Sequence, residues 1–440
     1  MEIFSSYNLI IGTSLTIILS FIFNGIAKKT NIPSVLMLII LGIVYQYGIK
    51  TFGAESPDFM DELKVLGTVG LILIVLEAAL ELKLKREKLV PIFKSLVISL
   101  LGLVASAYAA AIILKALVDG MTMQSALLYA TPLSILSSAI IIPSVAGLSE
   151  DKKEFHVYES TFSDILGITM FYFLAGKLNP AEDTGVAGFG FNLILTIIIS
   201  LIVSYGIILI FQKIKSQVKL FLLIAVLLLL YGLGGKIHLS SLIIILIFGL
   251  VIANMKLFFQ WKLENLLDYE KAKAIYHELH VITAETAFVV RTLFFVIFGI
   301  TITLSSLLNL KVALISILII ISIYLIRYVL LRIFVGKDIS PQLFIAPRGL
   351  ITILLFYAIP AEAMVPGFEP GILLFVIIGT SLIMTGGMIR DKRMKGAVLT
   401  PEEVEAAADA EVEFIMNTTT DLSEIEATDN DDIDEETISN

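Results

Sequence analysis

An all-α polytopic membrane protein of thirteen transmembrane helices, arranged as inverted repeats, is the fold that this 440-residue sequence predicts. Three observations carry that expectation. Hydrophobic residues make up 57% of the chain and charged residues 16%, with a mean hydropathy of +0.94, too apolar for a water-soluble domain. Apolar stretches recur at close to the roughly 17–25 residues that a bilayer requires. Basic residues collect in alternate loops.

The stretches lie at about 8–27, 33–49, 65–82, 90–118, 123–147, 157–178, 189–211, 219–234, 239–258, 282–304, 306–334, 341–364 and 368–389. Loops after odd-numbered spans hold 21 Lys and Arg, and the flanks of even-numbered loops hold 6. Cytoplasmic loops are the basic ones, so the N-terminus is expected outside and the C-terminus in the cytoplasm. The first stretch has no basic leader or small-residue cleavage site and reads as a retained span.

Residues 1–397 read as the transmembrane domain and 398–440 as an acidic, disordered cytoplasmic tail, a solvated appendage or a regulatory one. From Thr400 onward there are fifteen Asp and Glu and no Lys or Arg, so the formal charge of −9 hides a membrane body of about +6. With no cysteine, disulfides and thiolate metal sites are excluded. His156, His238, His277 and His280 show no metal-ligand spacing, and His277 and His280 are expected in a solvated, charged loop.

Lys29 to Val44 aligns without a gap to Lys236 to Val251, matching Lys29/Lys236, Ser34/Ser241, Gly42/Gly249 and Val44/Val251. Thr131-Pro132 in span five has its counterpart in Ala346-Pro347 of span twelve. Spans two and nine differ by an odd number, so the halves would be inverted. Inverted repeats with Pro- or Gly-interrupted helices point to a secondary transporter with a midplane site.

Candidate chemistry follows the chain. Glu77, near the end of span three, is either an ion ligand or an acid snorkelling to the headgroups. In span five, Thr131, Ser134, Ser137 and Ser138 lie between or beside Pro132 and Pro143. Each proline removes a backbone donor and frees a carbonyl one turn back. Hydroxyls and bare carbonyls suit a hard cation, and a merely kinked helix is the alternative. Span six carries Glu159, Ser160, Ser163 and Asp164 in a largely apolar stretch without a base.

A carboxylate at membrane depth costs roughly 2.5–3.5 kcal/mol on insertion scales, which makes Asp164 a functional candidate before a structural one. Burial penalises its charged form unless a proton or cation neutralises it. One acid that holds either, not both, suffices for an exchange. On a helix, Ser160 shares the face of Asp164, whereas Glu159 lies about 140° away. Glu159 is expected in a structural ion pair with Arg327, with Arg348 as the alternative; Arg291 is left to Glu285 or a bundle contact.

Four segments carry a family resemblance: Ile32-Pro33 through Gly42; Leu66-Gly67-Thr68-Val69-Gly70-Leu71 through Leu82; Glu159-Ser160-x-x-Ser163-Asp164; and Pro347-Arg348-Gly349. Over most of Asn8 to Lys395 the chain resembles the sodium/hydrogen exchanger family of the monovalent cation–proton antiporter superfamily. The resemblance implies that Asp164 binds the ion and the proton, helped by Ser160, Glu77 and a carbonyl near Ser134 to Ser138. It also implies a homodimer, with a core (spans 3–6 and 10–13) that contains crossed, discontinuous helices in spans 5 and 12 and moves against a dimerisation domain (spans 1–2 and 7–9).

The family pattern has Asn where this chain has Ser163, and an Asp between Thr131 and Pro132 that is missing here. The adjacent Asp pair of electrogenic relatives is also missing, so electroneutral exchange of Na⁺, K⁺ or Li⁺ for H⁺ in an inner membrane is expected. No resident cofactor or nucleic-acid partner is expected, and membrane lipid is. A cation channel or organic-ion transporter on the same scaffold is the rival reading, and no phosphate loop or nucleophile–base pair suggests an enzyme.

Overall fold

The computed structural model describes residues 6–30, 32–51, 60–84, 86–145, 147–177, 185–214, 219–236, 241–260, 266–301 and 309–398. All regular structure among the described residues is helical. The chain divides into two compact units, Met1–Gly387 and Met388–Asn440. Of the second, the end of the last helix is described, and the predicted acidic tail beyond Val398 lies outside the described residues.

Helices α1 (Ser6–Thr30), α2 (Ser34–Thr51) and α3 (Met60–Glu81) lead through a 3-10 turn (Arg86–Lys88) into α4 (Leu89–Leu117). Span five is split into α5 (Met123–Ser134) and α6 (Ser138–Ser144). There follow α7 (Glu150–Gly176), α8 (Gly185–Phe211), α9 (Lys219–Lys236), α10 (Ser241–Ala253) and α11 (Met255–Phe258). The chain continues through α12 (Tyr269–Thr301), α13 (Leu310–Phe334), the short α14 (Leu350–Tyr357) that ends span twelve, and α15 (Gly371–Val398).

Among the described residues, eight segments are long and apolar enough to cross a membrane: within α1, α2, α4, α5 with α6, α8, α12, α13 and α15. Phe21, Val104, Ile202 and Leu325 stand exposed on α1, α4, α8 and α13, as lipid-facing side chains do. Side-chain caps start two helices: Thr122 accepts from the Ser125 amide at 3.1 Å before α5, and Asn309 accepts from the Lys311 amide at 2.9 Å before α13.

The repeat read from sequence has a packing counterpart. Gly42 of α2 abuts Gly299 and the Val296 carbonyl of α12, and its repeat mate Gly249 of α10 abuts Ala79 and Leu76 of α3. Span two thus meets span ten, while span nine meets span three, the exchange of partners expected of halves related by a two-fold. A Cβ on Gly42 would collide with backbone, which cannot move aside as a side-chain tip can. Gly42→Ala is therefore expected to destabilise the protein by about 1–3 kcal/mol, read as a lower melting temperature in detergent.

Packing gathers α4, α5, α6, α7, α13 and α14 around the broken segments, and α1, α2, α3, α8, α9, α10 and α12 against one another. Helix α3 touches both sets, through α7 and α14. One sequence expectation is corrected here. His277 and His280 lie within α12 and not in a loop, because that helix begins well before its apolar stretch. His280 Nε2 sits 3.0 Å from Glu81 Oε1, so it is not simply solvated.

Candidate functional site

Span five does not break at its prolines. Pro132 lies inside α5 and Pro143 inside α6, and the chain leaves the helix between them, with ψ 130° at Ile135 and 101° at Ser137. The Leu133 carbonyl, which would take the Ser137 amide in an unbroken helix, accepts from Arg348 Nε at 2.7 Å. The Ser137 amide donates instead to the Pro347 carbonyl at 3.0 Å. The Leu136 amide donates to Ser163 Oγ of α7 at 2.9 Å. Irregular backbone at membrane depth survives only where its polar groups are satisfied, and these three bonds do that.

The extended residues before α14 thus meet the break in span five. Gly349 lies against the Ser137 side chain, with the Ser137 Cβ 3.0 Å from where a Gly349 Cβ would be, so a larger residue there would push the two breaks apart. Helix α7 passes beside this meeting point and brings its polar face to it.

Asp164 of α7 is 3% exposed, and neither carboxylate oxygen has a hydrogen-bond partner among the described residues. The polar groups acting on it are the hydroxyl and backbone amide of Ser138, the first residue of α6; their arrangement falls short of hydrogen-bond geometry. A small space adjoins the carboxylate, walled by Val75 and Ala78 of α3, Leu242 and Ile243 of α10, and Thr161 of α7. Thr161 is fully buried and its Oγ1 is also unpartnered among the described residues. Sequence reasoning missed it; its position three residues before Asp164, on the same helical face, was the available signal.

A lone buried carboxylate is tolerated only when its charge is neutralised. Asp164 can therefore hold a proton or a small cation, with hydroxyl oxygens nearby to complete a cation's shell. Three predicted hydroxyls are spent on their own helices as donors. Ser160 donates to the His156 carbonyl at 2.7 Å, Thr131 to the Leu127 carbonyl at 2.7 Å, and Ser134 to the Ala130 carbonyl at 2.9 Å. Their oxygens keep lone pairs for a cation.

Glu159 lies in a separate buried cluster. Arg327 of α13 clamps it with both nitrogens, Nη1 to Oε1 at 2.7 Å and Nη2 to Oε2 at 2.9 Å, and anchors itself on the Gln342 carbonyl through Nε at 3.0 Å. Fork-to-fork pairing of this kind is the strongest form of ion pair. His156, fully buried, places Nδ1 3.3 Å from Glu159 Oε2, a neighbour not foreseen from sequence. Arg348 does not pair with Glu159; its guanidinium goes to the Leu133 and Ala346 carbonyls.

Half-buried Glu77 faces Arg291 of α12, with 4.0 Å between Oε1 and Nη2, and no hydrogen bond or ion pair among the described residues joins it to Asp164. Arg291 thus has Glu77, not Glu285, as its acid neighbour. Its Nη1 also reaches, at 3.5 Å, the Ala139 carbonyl that Pro143 leaves without its usual helical donor.

Residues 15–390 match the protein-family profile described as sodium/hydrogen exchanger, transmembrane. No curated protein matches the sequence. The fold is similar to that of the sodium proton antiporter MjNhaP1 from Methanocaldococcus jannaschii at pH 8, with a TM-score of 0.63 at 20% identity over 86% of this chain and 95% of that one. An electron-microscopy structure of the same antiporter is similar at a TM-score of 0.63 and 17% identity, over 90% of this chain and all of that one.

Proposed function

The chain belongs to the sodium/hydrogen exchanger family, a family of multi-pass membrane transporters and not of enzymes, and on that premise we propose that it exchanges Na⁺ for H⁺ at Asp164 by alternating access. The observation that carries this reading is the unpartnered, buried Asp164 carboxylate beside Ser138 and Thr161. A proton or a dehydrated Na⁺ neutralises it equally well in charge, and each excludes the other. Ser160, Thr131, Ser134, Ser137 and the carbonyls of the break supply further oxygens as the ion enters, and Glu77 draws cations toward it.

Glu159 with Arg327 holds α7 against α13, and Arg348 holds the two breaks together, so that the core formed by spans 3–6 and 10–13 moves as one body. Helices α3 and α12, which pack onto α10 and α2, form its boundary with the panel of spans 1–2 and 7–9. That panel joins two copies in a homodimer. Thirteen crossings put the N-terminus outside and the acidic tail in the cytoplasm of an inner membrane.

With one carboxylate in the site, the exchange of one cation for one proton moves no net charge. Currents on a solid-supported membrane after Na⁺ and K⁺ concentration jumps test this directly. A brief, non-sustained response to Na⁺ and a smaller one to K⁺ are expected. Sustained current at far higher turnover, without proton counter-movement, would show a channel instead.

A further inference from the structure

A second cavity lies on the other side of α7 from the Asp164 space, with room for a water-sized body. Its walls include Ser99 and Ser106 of α4, Ser163 and Glu159 of α7, Arg327 of α13, and Arg348. Their hydrogen bonds leave a surplus of donors. Both oxygens of Glu159 are taken by Arg327. Ser163 Oγ accepts from the Leu136 amide, so its O–H remains to be given. Ser99 is 3% exposed and its hydroxyl has no partner among the described residues.

Arg348, 2% exposed, donates from Nε and Nη1 to carbonyls, and its Nη2 makes no hydrogen bond among the described residues. The charges do not balance either. Two guanidiniums and one carboxylate leave this wall at +1, and a buried charge without a counter-charge costs several kcal/mol. Water could fill this space but would leave that charge uncompensated. An acceptor-only, singly negative ligand of similar size meets both needs.

We propose that this cavity is a binding site for a small monovalent anion of the halide class, chloride among common ions, held by Arg348 Nη2 and the Ser99 and Ser163 hydroxyls. The anion stays in the core as a structural counter-charge for Arg348 and is not cargo. This assignment does not rest on Asp164 binding a cation.

The test uses the full-length protein in detergent at constant Na⁺ and pH, melted in chloride, bromide or gluconate. A saturable rise in melting temperature with chloride and bromide but not gluconate is expected. In Ser99→Ala, losing one hydrogen bond to a charged partner should raise the half-saturating chloride concentration about tenfold or more. In a bromide-soaked crystal, an anomalous peak should lie between Arg348 and Ser99. Equal melting in chloride and gluconate, an unchanged half-saturation in Ser99→Ala, or only water between those side chains overturns the proposal. An Asp164→Asn protein should keep the chloride effect in full, so this result and the antiport reading stand or fall apart from each other.

Discussion

Asp164→Asn is expected to abolish Na⁺-dependent proton movement in everted vesicles while leaving the protein folded. Asparagine keeps the shape of the site but can neither hold a proton reversibly nor neutralise a cation. Removing one partner of a buried charge pair costs about 3–5 kcal/mol, equivalent to roughly 10²–10⁴-fold in cation affinity. Stability should not fall, because the wild-type carboxylate makes no hydrogen bond among the described residues that the substitution could break. Asp164→Ala should be equally inactive. Full dequenching of a pH dye by either variant would remove Asp164 from the mechanism.

The second large effect is on the fold. Arg327→Ala or Glu159→Ala alone should destabilise the protein by about 3–5 kcal/mol, since each leaves the other charge buried and unpaired. The paired change Glu159→Leu with Arg327→Met removes both charges and should recover most of that loss. Thermal melting of the four proteins gives the comparison. If the double variant is as unstable as the sum of the singles, the ion pair contributes more than mutual neutralisation.

These two acids, five residues apart on one helix, were separable from sequence because helical geometry sets them on different faces. Charged residues are so rare in the apolar stretches that the choice of partner for Glu159 narrowed to two arginines. The structure puts Arg327 there and sends Arg348 to the broken backbone. The helical class and the pairing of Gly42 and Gly249 were legible for a similar reason: hydropathy and close-packing glycines are local signals.

What escaped was set by distant neighbours. Two prolines drew attention to themselves, yet the break fell at Ile135–Ser137, where two acceptors, Ser163 Oγ of α7 and the Pro347 carbonyl, take the Leu136 and Ser137 amides. Arg291 met Glu77 across two helices, and no spacing within α12 could have shown it. Thr161 is one hydroxyl among many in α7 until α3 and α10 close over it. The start of α12 was placed too late because its first turns are charged and paired across helices, as Glu278 is with Lys219 at 3.1 Å.

Competition at one carboxylate has a direct signature, the protons released when the purified protein binds Na⁺. Calorimetric titrations in buffers of different ionisation enthalpy count them. Close to one proton per Na⁺ is expected over the range where the empty site is protonated, with Na⁺ affinity falling about tenfold for each unit of pH lowered within it, and no binding in Asp164→Asn. Na⁺ binding that releases no proton, or that survives intact in Asp164→Asn, would contradict the account.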